Sequence, residues 1–484
     1  MNKPIRRVSV FCLVLVLALM IRVNYVQGVQ ASSLDKNTNN KRGLIEAYSY
    51  PRGQIIVGGK PVTKDIEVDG NTYKYKRGYT DGPVYAPVTG FSSQVYGSNL
   101  LENVENPILS GNDSRLFIRN TLDLITGKPK QGGDVVTTID PKVQTAAYNA
   151  FTSAGKKGAA VALDPTTGAI LGLVSVPSYD PSSIAGSDNQ AAWTSLNADK
   201  SQPMLNRALR QTYPPGSTFK LVTSAAALEN GVITDINAKT DSPDPYTLPQ
   251  TSTKLVNEAG DNCLNVSMND ALKVSCNTVF AKIGDEVGND KMAAEAARFG
   301  FNSSSLTIPV GVTKSNYDTA INRPSNALSA IGQFDTRATP LQMAMVAAAI
   351  ANNGTLMKPY LVAQERSANL DVIDTTKPTV LSQATTPQVA QEIQTMMVNV
   401  VQNGTGTPAQ ISGATVGGKT GTAQHGENNS DNPYAWFVSY AKMGDKQVAV
   451  AVVVEDSNAQ RDEISGSGLA APIAKKMMEA ALGK

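Results

Sequence analysis

The sequence AAVALDPTTGAILGLVSV, residues 159–176, decides the fold because it holds two apolar runs around one short turn. Alanine, valine, leucine and isoleucine dominate both runs, and the turn-forming residues PTTG separate them. Apolar, β-rich runs on either side of a short turn are typical of two strands that pair as a hairpin. The stretch therefore predicts two neighbouring central strands of a sheet.

The rest of the predicted sheet lies near the other end of the chain. Three further strand candidates cover residues 415–422, 435–440 and 447–454, and an Ala-rich helix follows from about residue 469. A long Ala-rich insertion, with segments that end at Gly or Asn as helices commonly do, separates them from the hairpin. This order predicts the α/β (α+β) class, with a five-stranded antiparallel sheet flanked by helices and a mainly helical subdomain.

Length and charge limit what the chain can be and what it can bind. Its 484 residues exceed the roughly 250–300 at which a single core stops growing, so we expect at least two folded units. The 43 Lys and Arg residues nearly balance 41 Asp and Glu residues, which leaves no basic footprint for a nucleic-acid partner. One histidine and three cysteines cannot supply an ordinary zinc site, so we expect neither a metal nor a cofactor.

The N-terminus has the order of an exported segment. Lys3, Arg6 and Arg7 precede an uncharged apolar run, VSVFCLVLVLALMI, over residues 8–21. The run is shorter than the roughly 20 residues of a spanning helix, but residues 23–26 extend it if Arg22 snorkels. Small residues near 29–31 leave signal cleavage as the alternative. We expect a single-pass membrane anchor, with the rest of the chain extracytoplasmic.

Three parts are predicted along the chain. Residues 1–30 form a cytoplasmic stub and a signal-anchor helix. Residues 31–133 begin with a flexible linker at 31–42, followed by a small strand-rich domain whose β-type runs include GQIIVGG (53–59), NTYKYKRGY (71–79) and GPVYAPVTG (82–90). Residues 134–484 carry the sheet, and a helix is predicted over 141–151, where Pro occupies the favoured first position.

The chemistry begins in YPPGSTFKLVTSAAALENG, residues 213–231. Helix-breaking residues precede Ser217, and a helix-favouring run follows it, so a helix begins at or beside this serine. Lys220 then lies on the same face and is a candidate base for Ser217. A lysine acts as a base only if its ammonium is destabilised, so the arrangement predicts a lowered pKa for Lys220.

Two further motifs follow in a fixed order. Ser275-Cys276-Asn277 comes first, and GGKTGTAQ (417–424) lies where a sheet strand is expected. This ordered set is typical of penicillin-binding proteins and serine β-lactamases. Together with VALDPTTGAILGLVSVPSYDP (161–181), TPLQMAMVAAAIANNG (339–354) and YAWFVSYA (434–441), it makes the chain after residue 134 resemble the class B penicillin-binding proteins, the wall transpeptidases without a glycosyltransferase domain.

The resemblance implies a role for each motif residue in a serine-type D-Ala-D-Ala transpeptidase. Ser217 is the nucleophile that peptidoglycan stem peptides and β-lactams acylate, Lys220 takes its proton, and Ser275 relays a proton to the leaving amine. Asn277 holds Lys220 and the substrate amide, and Lys419 provides positive charge for the substrate carboxylate. The further implied contacts are the hydroxyls of Thr420 and Thr422, the bare strand at Gly421, and an oxyanion hole made by the backbone N–H groups of Ser217 and Thr422.

The N-terminal part indicates which members of this family the chain resembles, and it does not determine the binding partners. RGQIIVGGKPV (52–62) keeps an Arg-Gly-x-Ile start but lacks the Asp-Arg-Asn-Gly that often follows it, so the module resembles the pedestal or dimerisation-like domain of compact actinobacterial members, the penicillin-binding protein A type. A membrane glycan polymerase is a candidate partner. Outside the cytoplasm, Cys263 and Cys276 either pair as a disulfide or stay two separate buried thiols.

Other functions stay open to different degrees. A class A β-lactamase uses a glutamate to activate water, and no glutamate occurs between Glu295 and Glu365. A D,D-carboxypeptidase shares the first half-reaction, and a β-lactam-binding scaffold of a wall-synthesis complex is the alternative from another class. A Ser-His-Asp triad would need His425, the single histidine, which we place in an exposed polar loop.

Overall fold

The computed structural model describes residues 3–30, 42–69, 73–116, 125–127, 130–258, 260–426, 429–455, 461 and 464–484. Most of the predicted linker, residues 31–41, lies outside these ranges. Its last residue, Arg42, begins a short helix.

Eighteen strands are present in the described residues. In chain order they are β1 (Ile55–Val57), β2 (Lys60–Pro61), β3 (Thr63–Glu67), β4 (Tyr75–Tyr79), β5 (Ser92–Ser93), β6 (Gly97–Ser98), β7 (Asp134–Thr137), β8 (Gly158–Leu163), β9 (Ile170–Val176), β10 (Tyr246–Thr247), β11 (Lys254–Leu255), β12 (Thr355–Met357), β13 (Val362–Arg366), β14 (Val372–Thr375), β15 (Val380–Gln383), β16 (Thr415–Ala423), β17 (Tyr434–Met443) and β18 (Lys446–Val454).

Sixteen α-helices are present in the same ranges. They are α1 (Lys3–Tyr25), α2 (Arg42–Ala47), α3 (Gly82–Thr89), α4 (Leu100–Val104), α5 (Asn106–Leu109), α6 (Pro141–Ser153), α7 (Gln190–Ala198), α8 (Arg207–Arg210), α9 (Lys220–Glu229), α10 (Met268–Val274), α11 (Asn277–Val287), α12 (Asn289–Arg298), α13 (Arg323–Ser329), α14 (Pro340–Ala351), α15 (Pro387–Asn403) and α16 (Ala471–Leu482).

The central sheet has the strand order β16-β17-β18-β8-β9, and every neighbouring pair is antiparallel. The predicted hairpin is β8 and β9, and the predicted five-stranded antiparallel sheet is confirmed. All six residues of β8 are buried, because α14 covers one face while α6 and α16 cover the other. Strands buried on both faces read as continuous apolar runs, which is why this hairpin does not alternate with polar residues.

The helical layer packs against the sheet through α14. All twelve of its residues are buried, since it lies between the sheet and the inserted helices. A helix that is apolar on every side must be covered on every side, and the sheet and the inserted helices cover α14. Those helices include α9 to α13 and α15, which agree with the mainly helical subdomain predicted from the Ala-rich insertion.

A second five-stranded sheet joins the early chain to the later chain. Its order is β14-β13-β7-β1-β2, with β1 parallel to β7 and β13 antiparallel to β7. The glycine of the Arg-Gly-x-Ile start lies at the entry to β1, where a Cβ on Gly53 would sit 1.7 Å from the Gly133 carbonyl oxygen. Arg52 and Arg77 both reach the buried carboxylate of Glu102, at 3.2 Å and 2.6 Å. The Arg-Gly-x-Ile start therefore stabilises the sheet that joins the early chain to the later chain.

One predicted β-type run is wrong. GPVYAPVTG forms helix α3, with Pro83 in its first turn and Tyr85, Ala86 and Val88 buried. Proline is tolerated there because the first helical N–H groups have no partner within the helix. Burial of these side chains outweighs the weak helix preference of the segment.

The N-terminal helix is longer than the apolar run suggests. It continues from Lys3 to Gln30 over 28 residues, and its most apolar 18-residue window has a mean hydropathy of 2.2 and no residue buried within the protein. This length and composition suffice to cross a membrane, and a cleaved signal sequence has the same properties.

Candidate active site

Ser217 lies in a single tight helical turn, Gly216–Phe219, that leads directly into α9. Gly216 adopts a left-handed φ of 52°, and its N–H donates to the Gly332 carbonyl at 2.9 Å. A side chain at Gly216 would be strained by this φ and would contact Ala423 at 3.0 Å. The predicted helix start beside Ser217 is confirmed, with the α-helix proper beginning at Lys220.

Lys220 is fully buried, and its ammonium nitrogen is held by two other motif residues. Lys220 Nζ donates to the Ser275 carbonyl at 2.6 Å, to Ser275 Oγ at 3.3 Å and to Asn277 Oδ1 at 2.8 Å. The structure thus brings together two motifs that are more than fifty residues apart in the sequence.

The pKa of Lys220 lies well below its ordinary value. Burial is the largest cause, and the positive charge of Lys419 lowers this pKa further, while Glu258 and Asp261 raise it. The direction is the one that the sequence predicts for a lysine base. A neutral amine one turn from Ser217 can accept the proton of a serine hydroxyl.

Ser275 and Asn277 occupy the junction between two helices. Ser275 ends α10 with a left-handed φ of 73°, and Asn277 begins α11. The side chain of Asn257 caps α11 from outside, since its Oδ1 accepts the N–H groups of Asn277 at 2.6 Å and Thr278 at 3.0 Å. The first N–H groups of a helix have no partner within it, so this cap fixes where Asn277 lies.

Cys263 and Cys276 are joined by a disulfide, and their Cα atoms are 5.8 Å apart. Both residues are fully buried. Cys276 lies between Ser275 and Asn277, so the bond ties the segment that carries Asn257 to the same junction. Of the two interpretations left open by the sequence, the structure contains the paired one.

Lys419 lies on β16 opposite Val438 of β17, with its side chain fully buried. Its Nζ donates to the Thr420 carbonyl at 3.0 Å. Burial lowers the pKa of Lys419 to about 7, against the raising influence of Glu258 and Asp261. A charge that is so weakly hydrated acts strongly on any nearby carboxylate.

The three residues after Lys419 differ in what they contact. The Thr420 hydroxyl is buried and lies 2.7 Å from the Thr405 hydroxyl, whereas Thr422 is half-buried and lines the cleft. Gly421 faces the turn that carries the serine: a Cβ there would lie 3.1 Å from the Pro215 carbonyl oxygen. The bare strand at this position therefore lets the turn pack closely against β16.

These groups meet at an open cleft of about 430 Å³. Ser217, Asn277 and Thr422 line it, with Asn257 and Glu258 on the wall formed by the segment after β11. The serine is reachable from solvent, while both lysines are buried behind it. A half-buried nucleophile that solvent can reach, with a buried, destabilised amine behind it, suits acyl transfer through a covalent intermediate.

Two residues at the site carry no motif that sequence reasoning could use. Asn257 and Glu258 lie in a short irregular segment, and only the folded chain brings that segment to α11 and the cleft. Trp436, within the segment YAWFVSYA, lies on β17 opposite Gly421. It is fully buried, and its indole N–H also donates to the Pro214 carbonyl at 3.0 Å, which supports the serine turn.

His425 lies in the loop between β16 and β17, as expected, but its side chain is half-buried. Its ring stacks on Tyr434 with centroids 3.9 Å apart, and the side chain is 18% exposed. Nε2 lies 2.6 Å from the Asn432 carbonyl oxygen, and Nδ1 lies 3.4 Å from an Asp431 carboxylate oxygen. The aromatic neighbour explains the burial. The Asn432 carbonyl engages Nε2, the nitrogen that a Ser-His-Asp triad would direct at the serine.

Comparison with known proteins adds to this geometry. The profile of the penicillin binding protein transpeptidase domain matches residues 158–479, and that of the penicillin binding protein A dimerisation domain matches residues 52–135. The peptidoglycan D,D-transpeptidase PbpA of Mycolicibacterium smegmatis is 41% identical over 492 residues, covering 100% of this chain and 99% of the relative. PbpA of Mycobacterium tuberculosis is 39% identical with the same coverage.

A solved structure is equally similar. The penicillin G acyl-enzyme complex of penicillin-binding protein A from M. tuberculosis superposes with a TM-score of 0.84 at 40% identity, covering 90% of this chain and 100% of that chain. Profile, relatives and fold agree with the order of the three motifs. The chain therefore belongs to the penicillin-binding protein transpeptidase family.

Proposed function

We propose that the chain is a peptidoglycan D,D-transpeptidase that cross-links stem peptides through an acyl-enzyme on Ser217. One observation carries the proposal: Lys220 is buried, its pKa is lowered, and its Nζ donates hydrogen bonds to Ser275 and Asn277 beside a cleft that Ser217 lines. Its mycobacterial relatives are peptidoglycan D,D-transpeptidases, and a related structure carries penicillin G as an acyl-enzyme.

In this proposal Ser217 Oγ attacks the carbonyl of the penultimate D-alanine, and Lys220 takes its proton. Ser275 relays a proton to the departing amine of the terminal D-alanine. The backbone N–H groups of Ser217 and Thr422 stabilise the oxyanion, where one such donor is typically worth about 3 kcal/mol. A β-lactam enters the same step and stays bound to the serine.

Substrate binding is assigned to the same strand and helix junction. Lys419 attracts the terminal carboxylate of the stem peptide, and Thr422 and Thr420 offer it hydroxyls. The Thr420 hydroxyl would have to exchange its bond with Thr405 for one to the substrate. Asn277 holds Lys220 and the substrate amide, which fixes the stem along β16.

We assign the remaining parts of the chain in the same way. Residues 1–30 are a single-pass anchor that keeps residues 134–484, the transpeptidase domain, outside the membrane. Residues 31–133 hold a linker and a pedestal that lifts the cleft towards the wall. A membrane glycan polymerase is the partner of this pedestal. An apolar N-terminal helix and transpeptidase relatives support membrane anchoring.

Fluorescent penicillin tests the assignment directly. The full chain in detergent should be labelled covalently at Ser217, and Ser217→Ala should lose the label. Ser195→Ala is the matched control, since Ser195 is an exposed serine on α7 that belongs to none of the three motifs and does not line the cleft. An adduct mapped to any other residue would refute the assignment.

Product analysis with a donor stem and an amine acceptor separates transpeptidation from its closest alternative. Amide product supports the proposal. Release of D-alanine and free acid alone would identify a D,D-carboxypeptidase instead.

A further inference from the structure

The second half-reaction needs a nucleophile that competes with water for the acyl group on Ser217. In a transpeptidase that nucleophile is an amine on a neighbouring stem, and such an amine arrives in solution as an ammonium ion. Recognition of an acceptor therefore requires negative charge near Ser217. Of the two lysines described above, Lys220 acts as the base and Lys419 serves the opposite charge, the carboxylate of the donor.

Glu258 is the acidic residue that the cleft offers. It lines the cleft that holds Ser217, and it also lines an adjoining cavity of about 540 Å³, which shares Thr422 with the cleft and is lined by Arg461 as well. Among the described residues that line either space, no other carries a carboxylate. The side chain is exposed, and within the described ranges no lysine or arginine nitrogen lies within 4.0 Å of it. A cation that enters the cleft can therefore reach this carboxylate.

The segment around Glu258 is held at three points. Strand β11 pairs with β10 just before it, the neighbouring Asn257 caps α11, and the disulfide of Cys263 follows five residues later. These contacts fix the backbone of Glu258 relative to Asn277 and the serine turn. A charge held in this way can position a ligand, whereas a charge on a free loop would mainly attract it.

Glu258 is also close enough to act electrostatically on the catalytic lysines. Its negative charge raises the pKa of both Lys220 and Lys419. An acceptor ammonium beside Glu258 is therefore influenced by the charges of Glu258 and both lysines together. It approaches the acyl group from the solvent.

We propose that Glu258 is the positioning residue of the acceptor site, where its carboxylate binds the ammonium group of the incoming stem and so favours amide formation over hydrolysis. This inference rests on the proposed transpeptidase function. In the step it serves, the acceptor first gives one proton to solvent. Its nitrogen then forms a bond to the acyl carbon, the ester bond to Ser217 Oγ breaks, and a second nitrogen proton passes through Lys220 to Ser217 Oγ.

A different role for Glu258 makes the opposite prediction. If its carboxylate activated water, as a glutamate does in class A β-lactamases, Glu258→Gln would slow hydrolysis and leave aminolysis favoured. If it binds the acceptor, the same variant slows aminolysis and leaves hydrolysis favoured.

The experiment compares a charged acceptor with an uncharged one on the full chain. A D-alanyl thioester acylates Ser217, and Nα-acetyl-L-lysine amide or hydroxylamine competes with water; hydroxylamine is mostly uncharged at neutral pH. We expect Glu258→Gln to raise the lysine amide concentration for half-maximal amide formation about threefold to fivefold, the effect of a partly exposed charge pair. The hydroxamate-to-acid ratio should change less than about twofold. Altered lysine pKa values affect both nucleophiles and cancel in this comparison.

Two variants complete the test. Glu258→Asp keeps the charge and should retain most of the preference for the charged acceptor. Glu67→Gln is the matched control, since Glu67 is an exposed glutamate on β3 of the N-terminal part. If Glu258→Gln changes both acceptors equally, or favours amide formation, the inference is overturned while the transpeptidase proposal stands. If acylated wild-type protein forms no amide at all, the proposed function fails and the inference fails with it.

Discussion

Replacing Asn257 with alanine removes the cap that α11 receives from outside its own sequence. The Asn257 side chain accepts two N–H groups, from Asn277 at 2.6 Å and Thr278 at 3.0 Å, and its amide donates to the Thr278 hydroxyl at 2.9 Å. Loss of a helix cap costs about 0.5–2 kcal/mol. Thr278 is fully buried, so solvent replaces these bonds poorly and the upper half of that range applies.

The free energy lost with the cap affects the active site, because Asn277 is one of the two residues that accept hydrogen bonds from Lys220. A loss of about 1–2 kcal/mol lowers the ratio of the competent arrangement to the displaced one roughly 5- to 30-fold. We therefore expect Asn257→Ala to lower the second-order rate constant for acylation by fluorescent penicillin by up to about that factor. Stopped-flow fluorescence measures the rate, and thermal unfolding measures the stability of the same sample.

The control is a cap that lies away from the cleft. Asp140 caps α6 through the Lys142 N–H at 2.7 Å, on the far face of the central sheet. Asp140→Ala should lower stability by a similar amount and leave acylation unchanged. Equal acylation rates for Asn257→Ala and wild type, or equal losses in both variants, would show that the cap does not position the site.

Three further outcomes are expected. Acylation by β-lactams should decline as pH rises through about 7, because burial lowers the pKa of Lys419 to that value and its charge is then lost; a flat rate profile contradicts this. Burial beside a second carboxyl raises the pKa of Glu105 from 4.5 to about 7, so the folded chain binds this proton more tightly than the unfolded chain. The free energy of unfolding should therefore fall as pH rises between about 4.5 and 7 in urea titrations, and Glu105→Gln should flatten that slope. Thiol titration of the unreduced, denatured full chain should detect Cys12 alone, and reactivity of Cys263 and Cys276 before reduction contradicts the disulfide.

Local patterns predicted the parts of the fold that depend on neighbours in sequence. The hairpin of β8 and β9 is apolar throughout because both faces are covered, and that run is visible without a structure. The helix after Ser217 follows from the breakers before it. GPVYAPVTG misled because its valines and tyrosine favour strands, and only tertiary burial makes it a helix.

The residues of the site also differ in whether the sequence alone can identify them. Ser217, Lys220 and Lys419 stand in motifs whose spacing reflects one turn of helix or one strand, so their sequence carries the signal. Asn257 acts on α11 from twenty residues earlier in the chain, and its contact exists only after its segment folds against the helix. No periodicity marks such a residue. Its neighbour Glu258 is equally silent in sequence, because a single exposed glutamate has no pattern.

The strands of the sheet that joins the early and late chain cannot all pair at the same time during synthesis. Strand β7 has β1 on one side, but its other neighbour, β13, leaves the ribosome about 225 residues later. At about 5–20 residues per second, a chain that exits behind its N-terminal helix exposes one edge of β7 for roughly 10–45 s. An unpaired strand edge can pair with other chains, so this interval is the one in which the edge of β7 is prone to aggregation.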